Sequence, residues 1–317
     1  MKKIISVILI LFIFTLPLSS CGRQEEDHEG LSIVCTTFPQ YDYLKNILGS
    51  DDALTLLLDD GADLHSYEPT AQDIIKIGNA DMFVYVGGAS DAWVDGALKS
   101  ANNPDLKTVA LMDLVNTYEE EYVAGMEHEH GEHNEAHEGS HSDEDEHIWL
   151  SLKNAAVMTQ KLCDSVCEID SENAEKYKSN AENYIAQLNA LDQEYQAVVD
   201  SAARKTVLFA DRFPFRYLVE DYGLTYYAAF AGCSSESEAS FDTLAFLIDK
   251  TKELSLPVVL IIDKSDGAIA ETICAESGSK VLSLDSCQSI SIVDIKSGTN
   301  YLDIMKSNLE VLREALN

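Results

Sequence analysis

The sequence predicts an α/β protein built as two α/β lobes joined by one long rigid helix, with a cleft between them. Two stretches, Leu31 to Leu111 and Thr206 to Leu284, each alternate short apolar runs with helical patterns, the order expected of mostly parallel sheets covered by helices. Between them Tyr177, Ala181, Tyr184, Leu188, Leu191, Tyr195 and Val198 recur at spacings of four and three, which makes one apolar stripe along many helical turns. A chain of 317 residues with a normal apolar fraction has room for roughly two such domains.

In chain order, Lys2 and Lys3 precede an apolar run from Ile4 to Phe14. That run is too short for a typical spanning helix and has the layout of a secretory signal. It leads to Leu18-Ser19-Ser20-Cys21, which resembles the bacterial lipobox. Residues 1–20 are therefore expected to be a lipoprotein signal peptide, Cys21 the lipidated residue, and 21–30 a polar tether. The first lobe, 31–170, starts with the strand LSIVCTT and continues with a helix from Gln40 to Leu48 stopped at Gly49. The strand ALTLLL, a helix from Ala71 to Gly78 and the strand MFVYVGG follow, then a helix near Trp93 to Leu98 and a strand near Thr108 to Leu111. A His-rich acidic loop, 127–146, interrupts this lobe. The linking helix, 171–203, capped by Asp170 or Ser171, would extend about 50 Å at 1.5 Å per residue. In the second lobe, 204–317, the strands are TVLFA, LTYYAAF, PVVLIID and KVLSL. Its helices are Phe215 to Asp221, Phe241 to Leu254, Ala268 to Glu276 and Tyr301 to Leu316. In such folds ligand residues follow the strands, in loops that face the cleft.

The formal net charge of -33 argues against nucleic acid, whose phosphates need Lys and Arg to displace counterions. Cations are the natural partners. Six of the eight histidines fall between Glu127 and Leu150, amid a dense run of Asp and Glu. His128, His130, His133, His137 and His141 read as a collecting loop for divalent ions, or else as a solvated acidic spacer. His147 differs, because Ile148, Trp149 and Leu150 carry the chain from the polar tract into folded structure. His137 to His141 spell H-E-x-x-H, but Gly139 and Ser140 and the lack of apolar periodicity deny it the helix a zinc protease needs. His65 stands on a loop after the second strand, where a neutral imidazole can coordinate metal. Of the cysteines, Cys163 and Cys167 are helical neighbours best read as small buried apolar residues, and Cys274 with Cys287 is a candidate bridge.

Read together, the Leu-x-x-Cys start, TFPQYDYLKNILG, DLHSYEPTAQDI, ADMFVYVGG, the His-rich loop, DEHIWLSLKNA and FRYLVEDYGL resemble the zinc and manganese ABC-transporter solute-binding lipoproteins, the ZnuA/TroA-like family. The resemblance covers nearly the whole mature chain. It implies one metal in the cleft, Zn²⁺ or alternatively Mn²⁺, delivered to a membrane permease by a non-enzymatic receptor anchored through lipid to the outer face of the cytoplasmic membrane. It carries the first ligand to His65 and the second to His147. The third position, usually His or Glu, falls on Arg212, which only donates and cannot ligate. Asp211 beside it is the substitute considered, with Arg212 holding a carboxylate behind the ligands. The fourth position matches Asp285, and Glu236 and Glu238 are further acidic candidates. A surface metallohydrolase using His65 and His147, and a zinc-storing adhesin in which the loop alone matters, are the readings from other classes.

Overall fold

A computed structural model of the chain describes residues 30–59, 63–126, 144–234, 238–288 and 290–317. The first block forms β1 (Ile33–Cys35), α1 (Phe38–Leu48), β2 (Leu54–Leu56), α2 (Ala71–Gly78), β3 (Met82–Tyr85), α3 (Val94–Ala101) and β4 (Lys107–Ala110). After α4 (Leu152–Ile169) and α5 (Ala174–Ser201) come β5 (Thr206–Phe213), α6 (Arg216–Tyr222), β6 (Thr225–Ala231), α7 (Phe241–Glu253) and β7 (Val258–Ile262). The chain then forms α8 (Ala268–Ser277), β8 (Lys280–Leu284), α9 (Ile292–Lys296) and α10 (Tyr301–Ala315).

Each block folds into a four-stranded parallel sheet, in the orders β2-β1-β3-β4 and β6-β5-β7-β8. The two sheets thus share one topology, in which consecutive connections leave opposite sides of β1 and of β5. At such a switch point the loops after the strands part and leave a crevice. Local chemistry sets the elements. Gln40 Oε1 accepts from Thr36 and Thr37 N–H at the start of α1, and Gly49, at φ 80°, ends it in the left-handed conformation that lacks a Cβ penalty. Thr70 and Asp73 close a reciprocal capping box on α2.

α5 buries Tyr177, Ala181, Tyr184, Leu188, Leu191, Tyr195, Val198 and Val199, the stripe read from the sequence with one residue added. Its 28 residues span about 42 Å. The linking helix is shorter than 171–203: Asp170 accepts from Asn173 N–H and holds Ser171–Asn173 as a 3-10 turn, while Ala202 is already extended. Along α5, Asn180 donates to Ile47 O and Tyr184 to Asp42 of the first lobe, whereas Tyr195 donates to Met305 O of α10. One continuous apolar core therefore runs through both lobes, and a second, smaller cluster, centred on Leu208, Leu247, Val259 and Ile273, backs the second sheet.

The candidate Cys274–Cys287 bridge is not formed. Cys274 packs on the outer cluster, whereas Cys287 is buried in the central core against Met305, so the sheet layer separates them. Cys163 and Cys167 face one another with their sulfurs 4.0 Å apart, both free. β5 runs beyond TVLFA to Phe213, with an irregular register between Phe209 and Arg212: three residues on β5 answer two on β6. This bulge makes Asp211 and Arg212 strand residues at the rim of the crevice. Among the described residues no helix is long and apolar enough to cross a membrane.

Candidate metal centre

The strand ends of the two sheets enclose a cavity of about 530 Å³. The first lobe lines it with Asp63, His65 and His147, and the second with Asp211, Arg212, Asp263 and Gln288 among others. His65 sits in a one-turn 3-10 helix, Leu64–Ser66, after β2, capped by Asp63, whose carboxylate accepts from His65 N–H at 2.9 Å. His147 stands just before a second 3-10 turn, Ile148–Leu150. That turn is locked in the core: Trp149 is fully buried, its indole donates to Ser286 O at 2.8 Å, and Tyr301 OH donates to its carbonyl.

Although 82 residues apart, the two imidazoles converge, with Nε2 to Nε2 at 3.3 Å. A tetrahedral ion with Zn–N bonds of about 2.0–2.1 Å needs a ligand–ligand edge of about 3.3 Å. Each ring is aimed from its other nitrogen. His65 Nδ1 meets Ser90 Oγ at 2.8 Å, and His147 Nδ1 meets Asp145 Oδ1 at 3.0 Å. Such outer contacts set tautomer and orientation in metal sites. Burial, then the facing His147, push the His65 imidazole well below its ordinary range. Burial also opposes charge on His147, but Asp145, with Glu146 and Glu120, outweighs it and holds that ring above the ordinary range. Of the two facing rings His65 is thus the one held neutral, with a lone pair to present.

Arg212 reaches across the cavity. Its guanidinium pairs with Asp63 Oδ2 at 3.2 Å, and Gln288 donates to the other oxygen at 3.3 Å. Burial raises the Asp63 carboxyl, but His65 N–H and Arg212 outweigh it and leave it below the usual range. Asp211 lines the cavity, its two oxygens accepting from Arg212 N–H and Ile262 N–H. Asp285 is not brought to the cavity lining. One of its carboxylate oxygens accepts from Cys287 N–H at 2.7 Å, and burial, then Asp263, push its pKa up to about 6. Asp263 stands at the cavity instead, with one oxygen accepting from Ser286 N–H. Glu238 is exposed. Glu236, Cys21 and the loop histidines His128, His130, His133, His137 and His141 lie outside the described residues.

Sequence reasoning passed over Glu146 and Cys233. Glu146 is 2% exposed and lies against the Gly87–Gly88 turn, with Ser90 N–H donating to Oε1 at 2.8 Å. A Cβ on Gly88, whose φ is 80°, would fall 2.5 Å from that oxygen, so only glycine lets the carboxylate in. Cys233 follows β6, and its N–H donates to Glu120 at 2.8 Å. Burial, then Glu120, Asp145 and Glu146, push its thiol well above the ordinary range. The DEH triplet hinted at Glu146, but nothing local linked it to a cysteine 87 positions on.

Comparison with known proteins bears on this geometry. Residues 33–315 match the family model described as zinc-uptake complex component A, periplasmic. The chain is 32% identical to the zinc-binding lipoprotein AdcA of Streptococcus pneumoniae serotype 4, an alignment covering 99% of this chain and 61% of that protein. The chain thus spans about three-fifths of the length of such AdcA relatives. It is also 32% identical to the high-affinity zinc uptake system protein ZnuA of Bacillus subtilis, over 94% of this chain and 91% of that one. The crystal structure of the Zn(II)-bound ZnuA-like domain of S. pneumoniae AdcA superposes with a TM-score of 0.73 at 29% identity, covering 90% of this chain and 98% of that domain. The B. subtilis metal-dependent lipoprotein YcdH superposes with a TM-score of 0.75 at 29% identity, over 90% and 99% of the two chains.

Proposed function

The chain belongs to the zinc-uptake complex component A family, and from that premise we propose that it is the extracellular zinc receptor of an ABC importer. It captures one Zn²⁺ between its lobes and delivers the ion to a membrane permease. The observation that carries the reading is the convergence of His65 and His147, two oriented imidazoles at tetrahedral spacing beside a cavity rimmed with carboxylates. Zinc is the cargo, and neutral imidazole with hard or soft third ligands suits it. The surplus of negative charge draws divalent cations toward the crevice and speeds their capture. The shared core through α5 supports an opening and closing of small amplitude around the site. In this reading Cys21 carries a lipid anchor on the outer face of the cytoplasmic membrane, and 127–146 collects ions without forming the tight site. Lobes at 31–170 and 204–317, joined through 171–203, complete the proposal. The protein binds and releases its ion and transforms no substrate.

Competitive titration with Zn²⁺ and Mn²⁺, with elemental analysis of the purified protein, tests this. One tight zinc site is expected per chain, lost in His65→Ala and in His147→Ala and kept when 127–143 are deleted. Tight binding that survives either histidine change would refute the receptor reading. Loss in the deletion alone would point to a zinc store.

A further inference from the structure

Position 212 presents a guanidinium where a third ligand from the second lobe is needed, and that guanidinium is occupied with Asp63. The second lobe offers another donor behind the histidines. One ligand atom each from His65, Glu146 and Cys233 lie within 4.8 Å of one another. Three atoms so placed leave a point no more than about 2.8 Å from each, a contraction of roughly half an ångström from zinc's bond lengths of about 2.0–2.3 Å to N, O and S. A second observation points to a cation there. Glu146 Oε2 is buried and has no hydrogen-bond partner among the described residues. Ser90 and the Ala89 N–H serve this carboxylate from one side, and His65 Nδ1 stands 3.8 Å from Oε2, too far for a hydrogen bond. A carboxylate oxygen left without a donor in a buried place is costly unless something positive reaches it.

Resting on the receptor reading above, we propose that Cys233 and Glu146 are zinc ligands beside the histidines, so that a thiolate from the end of β6 supplies what Arg212 cannot. The backbone is built for this approach. A Cβ at Gly232 would meet Phe213 O at 2.8 Å and His147 Cε1 at 3.3 Å, so glycine lets the strand end pass close to the imidazole. The thiolate also sets selectivity, since sulfur favours zinc over manganese, which prefers oxygen. Arg212 then serves as a tie across the cavity mouth through Asp63.

Cobalt substitution of the full chain, in detergent and under a phosphine reductant, decides the matter. The expected result is a sulfur-to-cobalt charge-transfer band in the near ultraviolet that disappears in Cys233→Ser and Cys233→Ala. It persists in the Cys163→Ser/Cys167→Ser double variant. Zinc affinity falls on the order of a hundredfold in Cys233→Ala, and the preference for zinc over manganese narrows. Metal-free thermal unfolding that matches the unsubstituted protein shows that the variant folds. Tight zinc or cobalt binding without the band, or a band that survives Cys233→Ala, would overturn the assignment and leave the receptor reading intact. Absence of any tight metal binding would overturn both.

Discussion

Asp42 sits where the first lobe, the linking helix and the second lobe meet. It lies on α1, it is 3% exposed, and its carboxylate accepts from Tyr184 OH of α5 at 2.8 Å, from Asn46, and from the Tyr301 N–H at the start of α10. Burial outweighs those donors and pushes its pKa from an ordinary 3.8 up to about 6. A folded-state pKa above the unfolded one means that the native protein holds the extra proton between these values. The contribution of Asp42 to stability is therefore intact below pH 3.8 and declines as pH rises to about 6. At roughly 1.4 kcal/mol per unit, the ionised carboxylate costs on the order of 3 kcal/mol at neutral pH, about 2 kcal/mol of it accruing above pH 4.5. Asp42→Asn removes that pH-dependent part. It also sets an amide N–H₂ against one of the donors, at a cost that is the same at every pH. Urea unfolding of the metal-free protein at pH 4.5 and 7.5 separates the two. The variant should gain about 2 kcal/mol relative to the unsubstituted chain between the lower and the higher pH. A difference independent of pH, or one of opposite sign, would refute the argument that burial dominates at Asp42.

Trp149→Ala empties a fully buried site and removes the bond to Ser286 O, so a loss of about 3–5 kcal/mol is expected in urea unfolding. A cost within the range of a surface substitution would show that the turn after His147 is not anchored by that ring. Gly88→Ala forces a Cβ toward Glu146 Oε1 in a left-handed backbone, and stability should fall by roughly 1–3 kcal/mol. Zinc titration of the same variant should show weaker binding, because Glu146 must move. An unchanged isotherm would separate Glu146 from the metal.

Much of the architecture was legible from periodicity. Apolar runs bounded by turn residues marked the strands, and the stripe from Tyr177 to Val198 matched the buried face of α5 nearly residue for residue. Both patterns are local and repeat with the backbone's own geometry, which is why they can be read without partners. His65 and His147, whose imidazoles the structure brings together, entered the sequence reading by different routes. His147 stands at the step from the polar tract to the apolar Ile148–Leu150, whereas His65 follows the second strand on a polar loop and was picked out by the family resemblance.

The remainder depended on distance in space. Asp285 follows a late strand as the pattern requires, but the residues that line the cavity there are its neighbours Ser286 and Gln288 and, from the preceding strand end, Asp263. Asp211 and Arg212 fall at a bulge that no spacing announces. The pairing of Arg212 with Asp63 joins residues 149 apart, and Glu146 meets Cys233 only because the two sheets bring their strand ends together. The sequence by itself determined two parallel-sheet lobes, a connecting helix and two histidines suited to a cation. Tertiary structure alone decided which other side chains stand beside those histidines, because bond-length contacts between lobes are set by packing and register rather than by any repeat along the chain.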